Sequence, residues 1–95
     1  MSDAAPVVLT LSPVLDLKAA EPLKAELLAH RGRVLVVDAS GVERLGGLCL
    51  QVLLSALSLW RQDEINLRLA YPSDSFSEQW AAFGAPAFDS EGALA

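Results

Sequence analysis

The sequence predicts a single α/β domain built on a small mixed or mostly parallel β-sheet with packed helices. The first observation is the size and composition: 95 residues, 53% hydrophobic and 20% charged, suit one compact core and exclude both a disordered tail and a multidomain enzyme. The second is the continuous apolar run Val34, Leu35, Val36, Val37, the pattern of a central strand covered on both faces. The third is the alternation of short strand-like runs with helical patterns along the chain, which places helices against a sheet through crossover connections. The expected organisation is an N-terminal leader over residues 1–6, one domain over 7–88 and a flexible C-terminal tail over 89–95.

Val7 to Leu11 reads as a strand ended by Ser12 and Pro13, and Val14 with Leu15 as a second short strand. Leu17 to Ala29 is rich in Ala, Leu, Lys and Glu, with Ala20, Leu23 and Leu27 on one helical face, Glu21 outward and Lys24 at the edge. Asp16 suits the N-cap. Pro22 breaks the pattern unless the helix begins late enough to put it in the first turn. His30, Arg31 and Gly32 close that helix, and Arg33 to Asp38 forms the central strand. Ala39 to Leu45 reads as a connection.

Gly46 and Gly47 introduce the long apolar segment Leu48 to Trp60, interrupted only by Gln51, Ser55 and Ser58 near one helical face. Such a helix needs cover beyond its sheet-facing side. With Cys49, Val52, Leu53, Ala56 and Trp60 toward the sheet, Leu50 and Leu54 approach the other side, where either another helix of the fold or a second protein would meet them. A charge at Leu50 or Leu54 is therefore expected to weaken partner binding and spare the fold, unless the residue belongs to the core. Ile65 to Ala70 alternates like a strand with one less buried face. Ser73 or Ser75 can cap a last helix whose Phe76, Trp80 and Phe83 form an aromatic core stripe, stopped by Gly84 and Pro86. Ala87 and Phe88 suit a brief edge strand.

The chemistry-bearing residues are sparse. Twelve Asp and Glu against seven Lys and Arg leave a formal charge of -5, which opposes nucleic acid and anionic lipid and favours a basic partner or a neutral docking face. The leader lacks a signal-peptide pattern and the apolar segment is short for a bilayer, so cytoplasmic residence without membrane insertion is expected. His30 and Cys49 are the only residues of their kinds, so no disulfide forms and no recognised metal-ligand spacing exists. No cofactor is implied. The Leu45–Leu48 turn lacks the Lys and Ser/Thr of a phosphate loop, Asp38 and Ser40 suit hydrogen bonds to turn amides, and no set of acid, base, nucleophile and oxyanion donors marks an enzyme.

Val37, Asp38, Ala39, Ser40, Gly41, Val42, Glu43, Arg44 and Leu45 ahead of the long helix resemble the centre of a STAS domain, the class shared by anti-sigma-factor antagonists and several bacterial regulatory proteins. The resemblance spans about residues 7–88. Arg44 to Leu53 is similar to a small STAS branch associated with chemotaxis signalling. In phosphorylated STAS antagonists, Asp followed by Ser or Thr stands at the start of the helix after the central strand; in register, Gly46 and Gly47 fall there, and Gly47 has no hydroxyl. Ser40 becomes the acceptor only if that register is wrong. The resemblance implies a non-enzymatic domain that binds a bacterial histidine kinase or related signalling protein through Gly46, Gly47, Leu48, Leu50, Gln51 and Leu54. Two other roles stay open: a phosphoregulated anti-sigma-factor antagonist, and an accessory subunit of a membrane transport complex.

Overall fold

The computed structural model describes residues 6–85. Of the leader expected over 1–6, residues 1–5 lie outside the described residues, as do the edge strand expected at Ala87 and Phe88 and the tail at 89–95. Eight elements follow in order: β1 (Val7–Thr10), β2 (Val14–Leu15), α1 (Leu17–Ala29), β3 (Leu35–Asp38), β4 (Arg44–Leu45), α2 (Gly47–Gln62), β5 (Leu67–Ala70) and α3 (Asp74–Ala82). The order β1-β3-β5 makes β3 the central strand, and every pairing is parallel, including the separate two-stranded β2-β4 ribbon. Parallel strands require the crossover helices that the alternating sequence supplies.

Helix α1 covers the full stretch that its propensities mark. The Asp16 carboxylate accepts the Ala19 amide at 3.1 Å, satisfying one of the donors a helix start leaves orphaned. Pro22 lies inside the helix rather than in its first turn. Its ring is exposed while Ala20, Leu23 and Leu27 are buried, so the apolar face keeps α1 in place despite the missing hydrogen bond.

The sheet corrects one expectation. Val7, Leu9, Leu35, Val37, Leu67 and Leu69 share the face that enters the core, in rows fixed by the parallel register. On the opposite face Val8 is 60% exposed, Arg68 is exposed and Val36 is half-buried. Strand β3 is thus covered on one face, because both long helices pack on the same side. The continuous valine run is a property of residue choice at a half-open surface.

Helix α2 is covered twice, by α1 along its length and by the sheet at β5. Cys49, Leu53, Ala56 and Trp60 are buried as the pattern predicts, Val52 is half-buried, and Leu50 joins the core at 6% exposure. The Trp60 indole N–H donates to the Arg33 carbonyl at 2.8 Å, which lets a polar group be buried at no cost in unmade hydrogen bonds. At α3 the aromatic stripe divides: Phe76 and Trp80 are buried with ring centroids 5.5 Å apart, whereas Phe83, the C-cap, is exposed. Gly84 with φ of 74° then ends the helix.

Candidate functional site

The start of α2 is the point where four other elements converge. Gly46 is its N-cap, in extended backbone and with no side chain to cap the helix. Its amide donates to the Leu15 carbonyl at 2.9 Å, and a Cβ built on it would stand 3.0 Å from that same oxygen. Glycine is favoured there by the closeness of β2, whose backbone would have to shift for a larger residue. Gly47 is exposed, and a Cβ on it would meet the Phe83 ring at 3.5 Å, an ordinary contact. The Cys49 thiol donates to the Asp16 carbonyl at 3.4 Å, so the starts of α1 and α2 lie side by side.

The loop ahead of this helix is tied down from α3. The Gln79 carboxamide oxygen accepts the Leu45 amide at 2.8 Å and its nitrogen donates to the Glu43 carbonyl at 3.2 Å. Ser73 caps α3 by accepting the Phe76 amide, and its hydroxyl donates to the Val42 carbonyl at 2.6 Å. The Glu43 and Arg44 amides both donate to the Pro13 carbonyl. A two-residue strand, β4, thereby runs where the sequence suggests a bare connection, and it aims the chain into α2.

The six residues expected to form a contact region divide by exposure. Gly47 and Gln51 are exposed, Leu48 is 48% exposed and Gly46 is half-buried. Leu54 is half-buried against the core, and Leu50 is in it. A charge at Leu50 therefore tests folding before it tests binding. Further large apolar side chains stand on the same converging backbone: Val14 of β2, Leu17 at the first position of α1 and Phe83 after α3, the last two 74% and 49% exposed. Sequence reading misses these because each belongs to a different element; their joint signal is exposure, which no single helical pattern carries.

Among the described residues near this end, Cys49 and Asp38 are held in hydrogen bonds to backbone groups. Burial, with the Asp16 carboxylate nearby, pushes the Cys49 thiol up, away from the reactive thiolate. Ser40 is exposed, and its backbone amide donates to the Asp38 carboxylate at 2.9 Å. Hydrogen bonding from the Ser40 hydroxyl and amide holds the Asp38 carboxyl below its ordinary value. Ser40 belongs to the loop after β3, separated from α2 by β4, and Gly46 and Gly47 occupy the helix start. Among the described residues no group of three or more His, Cys, Asp or Glu is placed to hold a metal ion. No helix among them is long and apolar enough to cross a membrane.

Comparison with known proteins agrees with this geometry. A family model described as Mlab, STAS domain, matches residues 2–86. No curated protein matches the chain. STAS domains are in general non-catalytic protein-binding modules with regulatory roles. With nearly the whole chain matched and a parallel sheet carrying packed helices, the protein belongs to the STAS domain family.

Proposed function

We propose that this chain is a non-enzymatic, cytoplasmic binding domain of bacterial signal transduction that docks a protein partner at the start of α2. The partner in this reading is a chemotaxis histidine kinase, and docking modulates the kinase or the phosphorylation of its response regulator. The observation that carries the docking surface is the exposed Gly47 beside the exposed Leu48 at a helix start. Close backbone approach and an apolar contact are available there, while glycine offers no hydroxyl for a phosphate switch. The similarity of Arg44 to Leu53 to chemotaxis-associated STAS proteins supports the choice of kinase.

A second reading, the accessory subunit of a membrane transport complex, is favoured by the family match, whose description is of the Mlab type. One experiment separates the two. The tagged full chain is used to capture partners from a matched bacterial lysate, with folded Leu48→Asp as the comparison and identification by mass spectrometry. A chemotaxis histidine kinase held by the natural chain and lost by Leu48→Asp supports the first reading. Transporter subunits with the same dependence replace it by the second, and capture indifferent to Leu48→Asp moves the docking surface elsewhere.

A further inference from the structure

Strand β1 ends the β1-β3-β5 sheet, and among the described residues no strand pairs with its outer side. The Val7 amide donates to the Val34 carbonyl and the Leu11 amide to the Asp38 carbonyl, so the alternation of a parallel ladder turns the backbone groups of Val8 and Thr10 away from β3. Both residues are exposed, Val8 at 60%. The strand reads VVLT, with neither a charge nor a proline, the features by which edge strands normally discourage pairing.

Helix α1 flanks the same edge. Helix α2 packs on α1 and on β5, which puts α1 on the β1 side of the helical layer. Lys24 and Leu28 line a groove shared with α2, and Ala20, Leu23 and Leu27 face the core. At helical spacing Lys18, Pro22 and Glu26 then form a row on the remaining, outer flank, and all three are exposed. Among the described residues neither Lys18 nor Glu26 has an ion-pair partner. The row reads cation, neutral, anion, with the charges at equal spacing on either side of Pro22, so an antiparallel second copy presents the complementary order.

We propose that the β1 edge and the outer flank of α1 form a two-fold interface with a second copy of this chain, β1 meeting β1 antiparallel and Lys18 meeting Glu26 of the second copy. The backbone sets the register. Pairing Val8 with Thr10 of the second copy, about an axis at Leu9, uses the outward donors and acceptors of both residues, whereas Val8 on Val8 would oppose Thr10 to Pro6, which has no N–H to give. Directly opposed residues share a face, so both open sheet faces stay on one side and both helical layers on the other. The same axis makes the two α1 helices antiparallel, as the charge order requires. With a short strand and exposed charges the interface is small, and the dimer dissociates readily. It uses neither Gly47 nor Leu48 and holds whatever docks at the start of α2.

The test is sedimentation equilibrium of the full chain from about 10 μM to about 1 mM, the range in which small interfaces dissociate. The mass is expected to rise with concentration from 10.1 kDa toward the dimer value. Lys18→Glu and Glu26→Lys each set like charges against one another across the axis and should weaken association at least about fivefold, while the two substitutions together restore it to within about twofold. Thr10→Pro removes an amide that the monomer's ladder does not use and should leave the chain monomeric. Circular dichroism of each variant establishes that the fold is intact, and should Thr10→Pro unfold the chain, the charge reversals decide. A monomer at every concentration, association indifferent to the single reversals, or a double reversal that fails to rescue overturns the proposal.

Discussion

Gly46 and Gly47 are neighbours with opposite tolerances. A methyl at Gly46 meets the Leu15 carbonyl at 3.0 Å, a backbone atom that also accepts the Gly46 amide. Neither partner can move without disturbing β2. Gly46→Ala is expected to cost about 1–3 kcal/mol, the range for forcing extra volume into a packed site, measured by urea unfolding. Gly47→Ala adds a contact with the Phe83 ring at 3.5 Å and removes a flexible residue from a helix; its stability should stay within about 0.5 kcal/mol of the natural chain or rise. Equal losses at both positions would remove the distinction. The glycine pair and its place at a helix start are legible in the sequence. Which glycine is structurally obligatory is not, since the obstructing carbonyl comes from Leu15, far back in the chain.

At the scale of elements, what was legible depended on local signals. The far end of α1 is marked by the break after Ala29, whereas at its start the capping Asp16 competes with Pro22, which points to a later beginning; the helix runs Leu17–Ala29 with Pro22 inside it. Strand β4 has two residues and pairs with β2, so neither periodicity nor length marks it. The Gln79 bridge to Leu45 and Glu43 is equally silent, because a glutamine in an aromatic helix has no distinguishing pattern. Pro22 supplies a direct test of how far packing overrides propensity. Pro22→Ala restores an interior amide on an exposed position of α1, and should raise stability by no more than about 3 kcal/mol, the full propensity difference. Unchanged or lower stability would mean the helix is already adjusted to the ring. The ends of the two long helices also carry a pH dependence. Hydrogen bonding and charge from Arg31 hold the Asp63 carboxyl below its ordinary value, as Ser40 does for Asp38. In acid the unfolded chain then binds these protons first, so stability is complete above the ordinary carboxylate range near pH ~4 and falls as pH drops through the folded values. Asp38→Asn and Asp63→Asn should each flatten the loss of thermal stability on acidification; an unchanged slope in both would assign acid sensitivity elsewhere.

At the scale of the whole molecule, an acidic chain carries exposed apolar side chains around the start of α2. Its formal charge is -5, while the exposed charged residues next in sequence to Leu17 and to the Gly46–Gly47 pair are of both signs: Asp16 and Lys18, Glu43 and Arg44. The apolar groups that stand there come from β2, α1, α2 and α3 together. Composition made the excess acid legible, but the gathering of these apolar groups depends on four elements meeting, and the continuous valine run likewise could not disclose that one sheet face stays open. The charge layout makes a prediction about partner binding that is independent of the partner's name. An interface centred on Leu48, Leu17 and Phe83 gains little from long-range attraction, so its affinity should change by less than about threefold between 50 and 500 mM salt, where surface charges are progressively screened. Isothermal titration of the captured partner over that range measures it. A tenfold or greater weakening would identify a basic partner held by the acidic exterior, and Leu48→Asp would then matter less than removal of surface carboxylates. Retained affinity at high salt, lost in Leu48→Asp, is the result expected of contact through the apolar end of the fold, where the bare Gly47 backbone and the Phe83 ring are adjacent.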